Sequence, residues 1–176
     1  MPPYEIANII LSNSESSPNI RLLLAGPCDV GKTEVAKSLV ATNLEIKHIE
    51  QDKLKLKEKP SPCSIRYLNI EQCFLQEIAN VSQYIIDTAG NNIFRKSVNN
   101  QERLQQLSLF KKEHQIEFVL LTASYKNLKE RFYSSKYSVD DFEDIWNSWE
   151  IVEKPFWEKC ADLIINVETG TFAKVS

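Results

Sequence analysis

No two cysteines in this chain are spaced C-x-x-C; Cys28, Cys63, Cys73 and Cys160 lie scattered along its 176 residues. Metal sites need clustered ligands, and disulfide frameworks favour smaller secreted chains. The four therefore read as reduced thiols, and a cytoplasmic protein is expected. No apolar run approaches the length of a membrane span. The opening Met1-Pro2-Pro3-Tyr4-Glu5 lacks the basic-then-apolar order of a secretion signal. An excess of one charge is missing too. A net charge of −3 gives no general attraction to nucleic acid or to a membrane, and neither is expected as a partner. The two histidines, His48 and His114, form no metal constellation and are read as structural or exposed. Internal repeats and low-complexity blocks are absent. What remains is a composition 43% hydrophobic, which suits one domain with a well-filled core and excludes wholesale disorder.

Against that background one run stands out: Gly26-Pro27-Cys28-Asp29-Val30-Gly31-Lys32-Thr33. It matches the phosphate-binding pattern G-x-x-x-x-G-K-[ST]. Its context carries as much weight as its letters. The apolar run Ile20 to Ala25 precedes it, and the helical stretch Glu34 to Val40 follows. A buried strand would deliver the chain to a loop whose N–H groups curl around phosphate oxygens, and a helix N-terminus would add its partial positive charge. Gly26 and Gly31 would allow backbone conformations and close approaches that side chains forbid. Lys32 would reach the terminal phosphates, and the Thr33 hydroxyl would hold Mg²⁺. Binding of a nucleoside triphosphate is expected.

The rest of the chain supplies a setting for this loop. Residues 1–19 hold a short apolar patch and then the polar cluster Ser12 to Asn19, so they are set apart as an N-terminal segment, either packed or frayed. Residues 20–176 form the main domain. Leu44 to Glu50 alternates as a strand, Asp52 to Lys59 is helix-prone, and Ile70 to Ala79 has helical spacing. Further strands are predicted over Ser82 to Ile86, Ile116 to Leu121 and Asp162 to Val167. Helices are predicted over about Ser97 to His114, from near Asn127, over Asp140 to Trp149, and through about Cys160. Apolar strands alternating with helices indicate an α/β domain on a parallel sheet of five strands.

In such a sheet ligands gather at the carboxyl ends of the strands, which singles out further residues. Asp52 follows the second strand and could orient Mg²⁺ through water or deprotonate an attacking hydroxyl; it could equally cap the Lys53 helix. Glu50 is the neighbour able to replace it. Asp87 closes the third strand, where a carboxylate helps hold Mg²⁺. Gly90 and Asn91 follow it in a small, polar stretch that suits either a ligand or a plain turn. Arg131 could reach a base or a phosphate, or lie on a solvated helix face. Arg66 and Arg95 could grip an anionic substrate. Trp146, Trp149 and Trp157, with Phe142 and Phe156, read as packing for the terminal helices, and part of the group could cover a substrate.

Over residues 20 to 171 the chain resembles the small P-loop kinases of the shikimate-kinase and gluconate-kinase type, and also the nucleoside monophosphate kinases. The resemblance rests on Gly26 to Thr33, on Asp52, and on the string Phe118 to Ser124, Leu128, Arg131 and Pro155 to Ile165. It implies a three-layer P-loop fold with strand order 2-3-1-4-5 and helices on both faces. It implies that Asp52 meets the substrate hydroxyl, that Arg131 contacts the nucleotide, and that the loop Glu168-Thr169-Gly170-Thr171 borders the adenine. It also implies an ATP-dependent phosphotransferase with Mg²⁺, acting on a small-molecule acceptor. The chain departs from the family in three places. Asp87 to Asn92 replaces a glycine-rich triplet, Phe132 to Asp144 has Lys136 as its cation where arginines are usual, and Val152-Glu153-Lys154 replaces an arginine before the proline. Two alternatives follow. Asp87-Thr88-Ala89-Gly90 fits the D-x-x-G of a GTPase switch, although Thr122 to Asn127 holds no [NT]-K-x-D. The arginine-poor lid fits a nucleotide-binding regulatory module with little transfer activity.

Overall fold

Strands whose buried positions run consecutively must be covered on both faces, and Arg21–Ala25 (β1), with Leu22 to Ala25 buried, and Glu117–Thr122 (β4), with Phe118 to Leu121 buried, are of that kind. A computed structural model shows how the cover is built. It describes residues 1–14, 19–53, 75–88, 100–134 and 139–175; the side chains of 52, 100, 102, 103, 106, 134 and 139–141 lie outside the description. In chain order, α1 (Pro3–Asn13) precedes β1. Then come α2 (Lys32–Thr42), β2 (Lys47–Glu50), a 3-10 turn (Gln51–Lys53), β3 (Tyr84–Asp87), α3 (Asn100–His114) and β4. Next are α4 (Tyr125–Ser134), α5 (Val139–Ser148), a π turn (Trp149–Glu153), α6 (Lys154–Cys160), β5 (Leu163–Asn166) and β6 (Phe172–Lys174).

The sheet order is β2-β3-β1-β4-β5-β6. The first five strands run parallel, with Leu22 beside Ile85 and Glu117, Glu50 beside Asp87, and Leu120 beside Ile164. Because side chains alternate along a strand, the core divides in two. Leu23, Ala25, Ile86, Phe118 and Leu120 face Leu107 and Phe110 of α3 and Phe156 and Trp157 of α6. Leu22, Leu24, Ile85, Val119 and Ile165 face Ile6 and Ile10 of α1, Val35 and Leu39 of α2, and Phe132 of α4. Each fully buried Leu or Ile contributes about 1.5–3 kcal/mol relative to exposure, so the two layers hold the sheet between them. Among the described residues no helix is long and apolar enough to cross a membrane.

The five parallel strands and their 2-3-1-4-5 order are as expected, and a sixth strand is added. Asn166 Oδ1 accepts the N–H groups of Glu168 and Thr169 at 2.9 and 3.2 Å, and Gly170 adopts φ +72°. Those contacts reverse the chain, so β6 returns antiparallel to β5. The segment before β1 folds as α1, with Ile6, Ala7 and Ile10 buried in the second core layer. Of the helix expected over Asp52 to Lys59, the described part is the 3-10 turn, and residues 54–59 lie outside the description. Similarly, the helix expected over Ile70 to Ala79 is described as a single turn at 75–78.

Asp162 explains why an acid precedes the last parallel strand. Its Oδ2 accepts the Phe118 N–H at 2.8 Å and its Oδ1 pairs with Lys111 Nζ at 2.5 Å. Both contacts pin the start of β5 to the start of β4 and to α3.

Candidate active site

β1 ends at Ala25, and the chain cannot turn there with ordinary backbone angles. Gly26 has φ +148°, Asp29 +58° and Gly31 +99°. A Cβ on Gly26 would meet the Leu121 carbonyl oxygen at 2.5 Å, so the loop leaves β1 pressed against the end of β4, where only glycine fits. Gly31 is the left-handed N-cap from which α2 starts. The loop therefore delivers Lys32 and Thr33 as the first two residues of α2, at its positive end.

Lys32 is buried, and its amine donates to the carbonyls of Gly26 at 3.0 Å and Pro27 at 2.9 Å. The lysine folds back over the loop and sets its amine against the start of the loop. Cys28 is half-buried and reduced, Asp29 is exposed, and Val30 is buried in the second core layer. Thr33 donates its hydroxyl proton to Asp87 Oδ2 at 2.5 Å. Asp87 is buried at the end of β3, and the next residue, Thr88, donates both its N–H and its hydroxyl to the Leu24 carbonyl. The structure thus brings Thr33 and Asp87 together at the carboxyl edge of the sheet.

Arg131 lies on the exposed side of α4 and turns toward the loop. Its Nη1 donates to the carbonyls of Asp29 at 3.3 Å and Val30 at 3.5 Å. The helix that carries it is braced from α5, where Glu143 accepts from the Tyr125 hydroxyl and, at 2.6 Å, from Lys129 Nζ. The bonds to Glu143 and then Tyr125 hold the Lys129 amine above its usual range, and the same contacts hold Glu143 below its own. Behind Arg131, Glu168 accepts from the backbone and hydroxyl of Ser124 at 2.6 and 2.8 Å. Burial raises the Glu168 pKa; hydrogen bonds from Asn127 and Ser124 and the charge of Arg131 outweigh it and leave the carboxyl below its ordinary value. Thr169 is exposed in the β5–β6 turn, its hydroxyl 2.8 Å from that of Thr171.

Asp52 occupies the 3-10 turn directly after β2, with its side chain outside the description. Arg66, Gly90, Asn91 and Arg95 also lie outside the described residues. Glu50, the alternative to Asp52, pairs with Lys53 Nζ at 2.6 Å. Trp149 and Trp157 are buried packing residues, while Trp146 sits half-buried against Tyr125 and Phe142.

Sequence reasoning passed over His48. It was read as structural or exposed, yet its Nε2 lies 3.6 Å from Asp87 Oδ2 and its Nδ1 3.9 Å from Glu50 Oε1. The signal was present in the alternation of β2, because His48 and Glu50 share a face and Glu50 pairs in register with Asp87.

Among the described residues no group of three or more His, Cys, Asp or Glu could enclose a metal. Mg²⁺ does not need such a cage, since it keeps several waters and binds through one or two protein oxygens and the phosphates of a substrate. Thr33 and Asp87 fit that smaller requirement. With its proton committed to Asp87, the Thr33 oxygen keeps its lone pairs for a cation.

No protein-family model matches the sequence, and no curated protein matches it. Solved structures do. Shikimate kinase from Bacteroides thetaiotaomicron superposes with a TM-score of 0.59 at 18% identity, covering 85% of this chain and 86% of the other. A gluconokinase from Sinorhizobium meliloti 1021 superposes with a TM-score of 0.55 at 16% identity, covering 84% and 82%. At these identities the likeness is one of fold. The chain has the α/β fold of the small P-loop kinases, and it resembles them along most of its length.

Proposed function

We propose that this protein is an ATP-dependent phosphotransferase, in which residues 20–176 bind ATP with Mg²⁺ and a small hydroxylated acceptor. The observation that carries the reading is the convergence of Lys32, Thr33 and Asp87 on one loop at the mouth of the sheet. The backbone of Gly26 to Thr33 would cradle the phosphates. Lys32 would exchange its loop carbonyls for phosphate oxygens, and Arg131 would border the base together with Thr169. Bound with the triphosphate, Mg²⁺ would offset the charge that develops on the transferred group. Thr33 and Asp87 would hold that ion.

In the transfer step, the bond from the γ-phosphorus to the bridging oxygen breaks as the acceptor oxygen bonds to phosphorus. The hydroxyl proton passes to Asp52, and the products are ADP and a phosphorylated acceptor. Arg66, Gly90, Asn91 and Arg95 are assigned to acceptor binding. Most of the rate would come from positioning and from charges already in place.

The test is ADP release measured with and without candidate acceptors, on wild type and Asp52→Asn. Acceptor-stimulated turnover that falls about 10²–10⁴-fold in the variant, while ATP still binds, is expected for a general base. A preference for GTP would favour a switch instead. Nucleotide binding without turnover for any acceptor would favour a regulatory module.

A further inference from the structure

Strand β2 sends alternate side chains to opposite faces. Ile49 enters the layer with α3 and α6, so His48 and Glu50 face α2, from which Thr33 projects. The register sets His48 beside Ile85 and Glu50 beside Asp87. The imidazole therefore leans diagonally across to the end of β3, and its Nε2 stops 3.6 Å from Asp87 Oδ2. A line of polar groups results. Thr33 donates to Asp87 Oδ2 from one side, His48 faces the same oxygen from another, and Glu50 and Lys53 continue the line toward the turn that carries Asp52.

His48 Nε2 is buried and makes no hydrogen bond. A buried donor left unmade costs free energy, and a β-branched or aromatic hydrocarbon would fill this strand position without that cost. The separation from Asp87 is also just outside hydrogen-bond length; closing it by about 0.4 Å would bring it into the N–H···O range. An imidazole kept at some expense, against a carboxylate whose orientation matters, is the arrangement of a group that acts through its neighbour.

We propose that His48 is a positioning residue, whose Nε2–H steers the Asp87 carboxylate into the orientation that holds the metal accompanying the nucleotide. The inference rests on the triphosphate reading above and goes beyond it, because that reading needs only Thr33 and Asp87.

Calorimetric titration of ATP, once with excess Mg²⁺ and once with EDTA, tests it on wild type, His48→Phe and His48→Gln, with thermal melts alongside. In His48→Phe the affinity for Mg·ATP should fall about tenfold, the lower end of the usual cost of losing such a partner. Metal-free ATP should bind as in wild type, and His48→Gln, whose amide can still donate, should recover most of the loss. If the phenylalanine variant fails to fold, His48→Leu carries the same comparison. Unchanged Mg·ATP affinity overturns the proposal, as does an equal loss with and without metal, which would mark a structural role. A wild type that binds ATP equally well in Mg²⁺ and in EDTA also overturns it and leaves triphosphate binding standing. A wild type that binds no nucleotide under either condition brings down both.

Discussion

Thr33 on α2 donates its hydroxyl proton to Asp87 at the end of β3, Oγ1 to Oδ2 at 2.5 Å, although 54 positions separate them in sequence. The bond fixes which way the hydroxyl oxygen points, and its lone pairs are left for a cation. Thr33→Val keeps the shape and removes the oxygen. The part of ATP affinity that depends on Mg²⁺ should disappear in this variant, while the affinity in EDTA stays at the wild-type value. An equal loss in both conditions, read by calorimetry, would assign the hydroxyl to the phosphates.

Lys32→Ala removes the buried amine that bonds the carbonyls of Gly26 and Pro27. ATP affinity should drop about 10–100-fold, equivalent to ~1.5–3 kcal/mol for hydrogen bonds to a charged group. Stability should fall less, because removing the side chain opens space in which water can reach the two carbonyls. A folded variant with wild-type ATP affinity, in the same titration, would defeat the phosphate-loop assignment.

Base choice should favour adenine over guanine, because Thr122 to Asn127 holds no carboxylate in register to read guanine. Stacking on Arg131 and main-chain contacts at Glu168 to Thr171 would read the base loosely, giving about a tenfold preference, or ~1.4 kcal/mol. Arg131→Ala should weaken ATP binding with little effect on melting temperature, since the residue is exposed and bonds the loop carbonyls of Asp29 and Val30. Tighter binding of GTP than ATP would bring the switch reading forward. Unchanged ATP affinity in the variant would leave Arg131 as a brace for the loop alone.

These assignments show how far the sequence could be read. The loop, its strand and its helix were legible because glycine spacing, an apolar run and a helical run all bear on the same few residues. Thr33 and Asp87 were both named, but their direct bond was not visible, since it depends on the register of β1 with β3. The place of His48 was not visible for a related reason: its diagonal approach to Asp87 exists only once β2 lies beside β3. The sixth strand went unseen because three exposed residues, Phe172–Lys174, have no alternation against a core to announce them. Their pairing with β5 is imposed by Asn166 and Gly170 in the turn.

Glu168 offers a test at acid pH. Burial works against its charge, but the Asn127 and Ser124 hydrogen bonds and Arg131 prevail, so its folded pKa lies below the unfolded one. A depressed folded pKa means that the ionised form favours the folded state. The contribution is complete above the unfolded pKa and is lost as pH falls through the folded one. Glu168→Gln should therefore flatten the acid side of the stability curve below about pH 4.3, the usual glutamate value. Melting temperatures of both proteins from about pH 7 to about pH 3 check this. Parallel curves would show that the carboxylate does not couple to folding.

Trp149 to Glu153 form a wider helical turn in which the Lys154 N–H bonds the Trp149 carbonyl, five residues back. The widening eases the fit of Pro155, whose ring would crowd the carbonyl four residues back in an ordinary α-helix. It also means that α5 and α6 make one rod with two phases. Phe142 and Trp149 point at the protein interior in the first phase, and Phe156, Trp157 and Cys160 do so in the second. A related chain that lacks the turn would be one position shorter here. Aligned without a gap, it would match on one side of Trp149 and be rotated by about 100° on the other, a single α-helical residue. The counterparts of the buried Phe156 and Cys160 would then be set against this chain's exposed Pro155 and Lys159.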